Sequence, residues 1–181
     1  METIKLKFTR LQNEIFCLMC LRTGEKLNLS DISKNLNVSV TAVSKSIKQL
    51  EEIKLINIEK DKKINLILVF LNRTNKRAIQ LKRVENLKMI YKSGLSDYLE
   101  EEYLGATIIL FGSYSKGEDT IQSDIDIAII GRKEKQINLK KFEDILNRKI
   151  IINFYSKFLE IHKHLKENLC NGIILTGGVE L

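Results

Sequence analysis

The sequence predicts an α+β protein in two parts, and three observations carry that expectation. The first 75 residues show helical apolar spacing three times and then two short β-rich runs, whereas residues from 95 onward alternate β-rich with helical runs. The positive charge is gathered in the first part. Residues 1–75 carry 13 basic and 8 acidic residues, a balance of +5, while residues 76–105 and 106–181 contribute only +1 each. Finally, one C-terminal run sets two aspartates on the same side of a strand. With 181 residues and a net charge of +7, the chain is one ordinary domain or two small ones. An apolar fraction of 44% is enough to build a core.

Several classes of protein are excluded. The longest unbroken apolar run, Leu66–Leu71, falls far short of the roughly 20 residues of a membrane span, so no membrane partner is expected. The N-terminus carries an acid and alternates apolar with polar residues, unlike a signal peptide. Three cysteines, Cys17, Cys20 and Cys170, cannot form a disulfide framework, which makes a cytoplasmic location the expectation. Cys17 and Cys20 lie in an apolar helical run with no second pair, and read as buried core thiols. His162 and His164 read as surface residues.

In chain order, residues 9–21 place Leu11, Ile15, Leu18 and Leu21 on one helical face, and Gly24 ends the helix. Ser30 is expected to cap a short helix over 31–36, with Asp31 at its positive end. A tight turn at 37–39 leads to Ser39, which caps a longer helix running to about Ile53. In that helix Val40, Val43, Ile47 and Leu50 form the face expected to be buried, and Thr41, Ser44, Lys45 and Lys48 lie opposite. Residues 55–59 and 64–70 read as two strands joined by the charged turn 60–63.

The stretch from Leu29 to Glu51 resembles the winged helix-turn-helix of transcription regulators, over roughly residues 10–75. The resemblance implies a recognition helix in the major groove of double-stranded DNA, held by one face and reading through the other. Thr41 and Ser44 suit base edges or phosphates, Lys45 and Lys48 suit phosphates, and Lys62 and Lys63 on the wing add backbone contacts. The other use of such a fold is protein contact or dimerisation. No Arg lies on the exposed face of the recognition helix, so bidentate guanine readout is absent there and sequence preference is expected to be modest.

Residues 76–94 form a helical connector with a stripe of Ala78, Leu81, Val84, Leu87 and Tyr91. That stripe serves either to pair with a second copy in a homodimer or to cover the C-terminal sheet. Ser93 and Gly94 interrupt the helix, and a second one follows over 95–103.

The chemistry lies beyond residue 106. A β-rich run over 107–111 is followed at once by Gly112 and Ser113, then Lys116 and Gly117. The next strand opens at Asp124. Ile125, Ile127 and Ile129 point one way, and Asp124, Asp126 and Ala128 the other. Two carboxylates side by side raise each other's pKa, a cost that a divalent cation reverses. Mg²⁺ characteristically takes one or two carboxylates together with substrate phosphates. Gly112 lets the backbone come close, Ser113 stands where a helix would start, and Lys116 adds a positive charge for phosphate oxygens.

The pattern from Leu110 to Glu118 and from Ser123 to Ile127 resembles the minimal nucleotidyltransferases of the polymerase-β superfamily, over about residues 95–181. The resemblance implies a mixed sheet with flanking helices. It also implies that Gly112 and Ser113 bind a nucleoside triphosphate, while Asp124 and Asp126 are catalytic and hold Mg²⁺, up to two ions. Such a domain passes a nucleoside monophosphate to a protein or nucleic-acid hydroxyl and releases pyrophosphate. Active members carry a third carboxylate on a following strand. Here that strand is read at 149–155, after a helix over 139–147 capped by Asn138, and counting along it puts Asn153 where the acid would be. Asn offers a carbonyl oxygen to a metal but accepts no proton from an attacking hydroxyl. Either the acceptor supplies the base, or the domain senses nucleotide without turnover, or the register is off by one or two residues, although no acid lies within the strand. Ser156 is expected to cap a last helix reaching Leu169, before a closing strand within 171–178.

The expected whole is thus an N-terminal winged helix-turn-helix (1–75), a helical connector (76–94) and a mixed-sheet nucleotidyltransferase-like domain (95–181). Its expected function is DNA binding joined to Mg²⁺-dependent nucleotide binding or transfer, or else non-enzymatic regulation through a degenerate transferase domain.

Overall fold

The computed structural model describes residues 8–61 and 66–179. The chain divides into two compact units, residues 1–78 and 79–181.

In the first unit, α1 (Arg10–Leu21) starts at a capping box: the Thr9 hydroxyl accepts from Gln12 N, and the Gln12 side chain accepts from Thr9 N. A two-residue strand, β1 (Leu27–Asn28), precedes α2 (Leu29–Leu36). The cap of α2 is Asn28 rather than Ser30. Its Oδ1 accepts from Asp31 N at 2.9 Å while Asp31 Oδ2 accepts from Asn28 N at 3.4 Å. Asn28 can serve both roles because its backbone is already extended in pairing with Leu68. Asn37 ends α2 in the left-handed conformation, and Ser39 caps α3 (Val40–Glu52) as expected.

The hairpin β2 (Ile56–Asp61) and β3 (Leu66–Leu71) completes an antiparallel sheet in the order β1-β3-β2. Its core gathers Ile15, Phe16, Met19, Ile32, Val43, Ile47, Leu50, Leu55 and Val69, all essentially inaccessible. Full burial of each such side chain contributes about 1.5–3 kcal/mol relative to exposure. Val40 departs from the expected buried face and is 43% exposed. It occupies the first helical position, a turn ahead of Val43, before the helix reaches the core. Gln12 Nε2 donates to Gln49 Oε1 at 2.7 Å, which ties α1 to the far end of α3.

The second unit opens with most of α4 (Lys76–Lys92), then α5 (Leu95–Glu102) after Gly94 turns the chain at φ 75. Its sheet is mixed and ordered β6-β5-β4-β7: β4 (Thr107–Phe111) pairs antiparallel with β5 (Ile125–Ile130) and β7 (Ile173–Thr176), and β5 pairs parallel with β6 (Ile150–Tyr155). Between these lie α6 (Gly112–Lys116), α7 (Lys140–Leu146) and α8 (Lys163–Cys170). One sheet face, with Ile108, Leu110, Ile125, Ile127 and Ile129, packs on Ile90, Leu95, Leu99, Tyr114, Phe142 and Leu146. The other, with Ile109, Phe111, Ala128 and Ile130, packs on Phe158, Ile161 and Leu169.

Two sequence expectations are corrected in this unit. The buried face of α4 is Ala78, Lys82, Asn86 and Ile90, whereas Val84 and Tyr91 of the expected stripe are 59% and 47% exposed. Leu87 and Met89 still pack against the sheet core, so the helix does cover it. After β6, the expected continuous helix is a 3₁₀ turn at Phe158–Glu160, then extended Ile161 and His162, then α8. That break lets Phe158 and Ile161 reach the same sheet face as Leu169. Cys20 is buried as expected, but Cys17 is only half-buried and Cys170 is exposed.

Candidate functional site

In the first unit, α3 buries Val43, Ile47 and Leu50 and leaves Thr41, Lys45 and Lys48 exposed on its other side, with Ser44 half-buried. The spacing of Thr41, Lys45 and Lys48 by four and three residues sets them along one face. Lys62 and Lys63 lie outside the described residues.

In the second unit, the chain leaves β4 at Phe111, which pairs with Asp126 across the antiparallel ladder. Gly112 follows at φ 73, a conformation favouring glycine, and a Cβ there would overlap Asp126 Oδ2 and stand 3.2 Å from its Cγ. The glycine is thus required twice, for its backbone and for its contact with the carboxylate. Ser113 is half-buried in the short helix α6, and Ser115 Oγ donates to Gly112 O at 2.9 Å. Lys116 is half-buried and, among the described residues, makes no ion pair.

Asp126 shares its sheet face with Ala128 and Ile130, and Asp124 stands just ahead of the strand on the same side. Asp124 is exposed and Asp126 half-buried. Burial first, and the charge of Asp124 second, hold the Asp126 carboxyl above the ordinary carboxylate range. A pair of acids whose ionisation is opposed in this way fits a divalent cation, which removes both penalties. Among the described residues no group of three or more His, Cys, Asp or Glu could hold a metal ion.

The third position differs from its expected place. In the parallel β5–β6 register Asp126 lies beside Ile151, and Asn153 lies beside Ala128, one side-chain step further along that face. The residue flanking Asp126 is therefore an isoleucine. Lys149 and Asp124 line a cavity of about 410 Å³ with Ser123, Lys140, Glu143 and Arg148. A larger cavity, about 620 Å³, opens at the other end of the sheet, among Gly105, Thr107, Ile130, Phe158 and Gly177.

Sequence reasoning missed a buried polar cluster behind the Gly112 loop. Lys82 of α4 forms an ion pair with Asp119, both side chains fully buried, and Arg148 Nη2 stands 3.5 Å from Asp119 Oδ2. Asn86 Nδ2 donates to Asp119 Oδ1 at 2.7 Å and to Tyr114 O at 2.9 Å. The available signal was the four-residue spacing of Ala78, Lys82, Asn86 and Ile90, in which two polar residues occupy the inward positions.

Two outcomes are expected from this geometry. Gly112→Ala should cost roughly 1–3 kcal/mol from the backbone conformation alone, with Asp126 displaced as well. Denaturant unfolding measures it, and an unchanged free energy would contradict the glycine argument. For Asp126, a raised folded-state pKa means that its protonated form stabilises the fold. That contribution is complete below its unfolded pKa of about 3.9 and is lost as pH rises through the folded value. Metal-free Asp126→Asn should therefore melt higher than the wild type at pH 7, the difference closing in acid. Thermal unfolding across pH checks this, and a lower melting temperature at pH 7 would count against it.

Residues 92–175 match the family model "Nucleotidyltransferase domain", and residues 12–63 match the model "MarR family". No curated protein matches the chain. Among solved structures, the adhesin competence repressor AdcR from Streptococcus pyogenes aligns at 22% identity, covering 55% of this chain and 70% of that one, with a TM-score of 0.41. A variant of ZitR from Lactococcus lactis aligns at 19% identity over 57% and 67% of the two chains, also with a TM-score of 0.41.

Proposed function

We propose that this chain, a MarR-type winged helix joined to a nucleotidyltransferase domain, is a cytoplasmic DNA-binding regulator whose second domain binds a nucleoside triphosphate with Mg²⁺. The observation that carries the nucleotide reading is the Asp124 and Asp126 pair on one sheet face, with Gly112 packed against the second carboxylate. Asp124 and Asp126 would hold the metal, and Gly112, Ser113 and Lys116 the phosphates. A bound divalent cation supplies charge neutralisation at the transferring phosphoryl group and at the departing pyrophosphate. This chain's own residues then position the triphosphate and orient its α-phosphate toward an acceptor hydroxyl of a protein or nucleic acid. In that transfer the α–β phosphoanhydride bond breaks, an ester to the acceptor oxygen forms, and the hydroxyl proton leaves to a base on the acceptor. Neither Ile151 beside Asp126 nor Asn153 further along accepts it.

That same isoleucine favours a second reading, in which the domain senses nucleotide without turnover. The DNA reading is supported by Thr41, Lys45 and Lys48, exposed opposite the buried face of α3, and by the +5 balance of residues 1–75. A nucleotide with unequal affinity for two DNA-binding states of the chain would then regulate it. Incubation with triphosphates labelled at the α-phosphate, Mg²⁺ and candidate DNA or protein acceptors separates the readings. Covalent label on an acceptor establishes transfer, and nucleotide binding without label establishes sensing. Absence of nucleotide binding sinks both.

A further inference from the structure

Residues 112–119 connect the Gly112 turn to the loop that ends at Asp124, and they are held from behind. Asn86 bonds Tyr114 O and Asp119 Oδ1, and Lys82 pairs with the same carboxylate. Gly117, at φ 76, lies so close to α4 that a Cβ would stand 2.5 Å from Ile79 O and 2.8 Å from Arg83 N. On the other side is Arg148, which approaches Asp119 Oδ2 and also lines the cavity that contains Asp124. The side chains of Lys82 and Asp119 are fully buried and that of Arg148 is 2% exposed.

Such a cluster is a poor source of stability. Removing charges from water costs more than their attraction readily returns, and a well-packed apolar replacement is often neutral or better. Its specific effect is geometric. One oxygen of this buried carboxylate takes an ammonium and an amide while the other faces a guanidinium at 3.5 Å, an arrangement with few alternatives, so the loop that carries it is confined to one. Asp119 stands six residues after Ser113 and five before Asp124, between the two halves of the site.

We propose that Asp119 is a positioning residue, held by Lys82, Asn86 and Arg148, that fixes the loop joining Gly112 and Ser113 to Asp124 and so sets the affinity of the site for a divalent cation carrying a nucleoside triphosphate. The inference rests on the nucleotide-binding reading above.

The full chain is tested with Mn²⁺ and a non-hydrolysable triphosphate analogue, free Mn²⁺ being followed by electron paramagnetic resonance. Lys82→Met removes the ammonium, keeps the length of the side chain and leaves Asp119 with Arg148 and Asn86. It is expected to weaken Mn²⁺–nucleotide binding by about tenfold or more, the scale of an outer-shell change at a metal site. Hydrogen exchange should quicken over residues 112–124 while the β4–β5 amides keep their protection. Asp119→Asn should do the same more strongly, and if it fails to fold, Lys82→Met carries the test. A purely structural role would shift the melting temperature and leave the affinity of the folded protein unmoved. Folded Lys82→Met that binds within about twofold of the wild type overturns the inference and leaves the nucleotide reading intact. A wild type that binds neither probe overturns both.

Discussion

Replacing Asp124 and Asp126 together with Ala is expected to lower metal-dependent triphosphate affinity by about 100-fold or more, equivalent to about 2.7 kcal/mol. The two carboxylates are the acidic side chains in and just ahead of β5 on this face, and the neighbouring position on β6 is Ile151, which offers no replacement. The single changes should differ from each other. Asp126, half-buried against Gly112, should be the more damaging to lose, and exposed Asp124 the less. Calorimetric titration with a non-hydrolysable analogue, with and without Mg²⁺, measures all three proteins. Affinity of the double variant within about threefold of the wild type, or equal affinity with and without Mg²⁺, would remove the metal-site reading.

The second large effect is expected in the first unit. Lys45→Glu combined with Lys48→Glu reverses two exposed charges on α3 and should weaken DNA binding at physiological salt by roughly 100-fold. If each lysine neutralises one phosphate, the slope of log affinity against log salt should fall by about 0.9 for each, or about 1.8 in all. Folding should be unaffected, because the core contacts of α3 run through Val43, Ile47 and Leu50 on the other side. Fluorescence anisotropy of labelled duplexes over a range of salt concentrations gives both numbers. A salt-independent affinity, or a double variant that binds as well as the wild type, would leave α3 as a protein-contact helix.

The ease of reading this chain varied with how local each feature is. Ser39 as the cap of α3 is decided by its own neighbours, and Asn37 adopts the left-handed turn that its short polar side chain tolerates. The two aspartates share a face because strand side chains alternate, whichever strands lie alongside. Gly112 was legible as a close backbone approach, although its partner, the Asp126 carboxylate, was not. Most corrections involved a contact with a distant segment, the exposure of Val40 at the first position of α3 being local. Asn28 displaced Ser30 as a cap because β3 had already drawn it into an extended pairing. The outward turn of Val84 and Tyr91 followed from the inward turn of Lys82 and Asn86, whose partners stand 28 to 37 residues away.

By itself, then, the sequence determined two domain types, the exposed basic face of α3 and the paired carboxylates beside a glycine turn. The domain types come from resemblance to known families, and the two local features from helical or strand periodicity and local backbone preference, which act over a few residues. The tertiary structure alone decided that Ile151 rather than Asn153 flanks Asp126, because strand register is settled by which side chains the whole sheet must bury. It also decided that a lysine faces inward from α4, since a buried ammonium is tolerable only where a carboxylate from elsewhere in the chain, here Asp119, is brought to meet it.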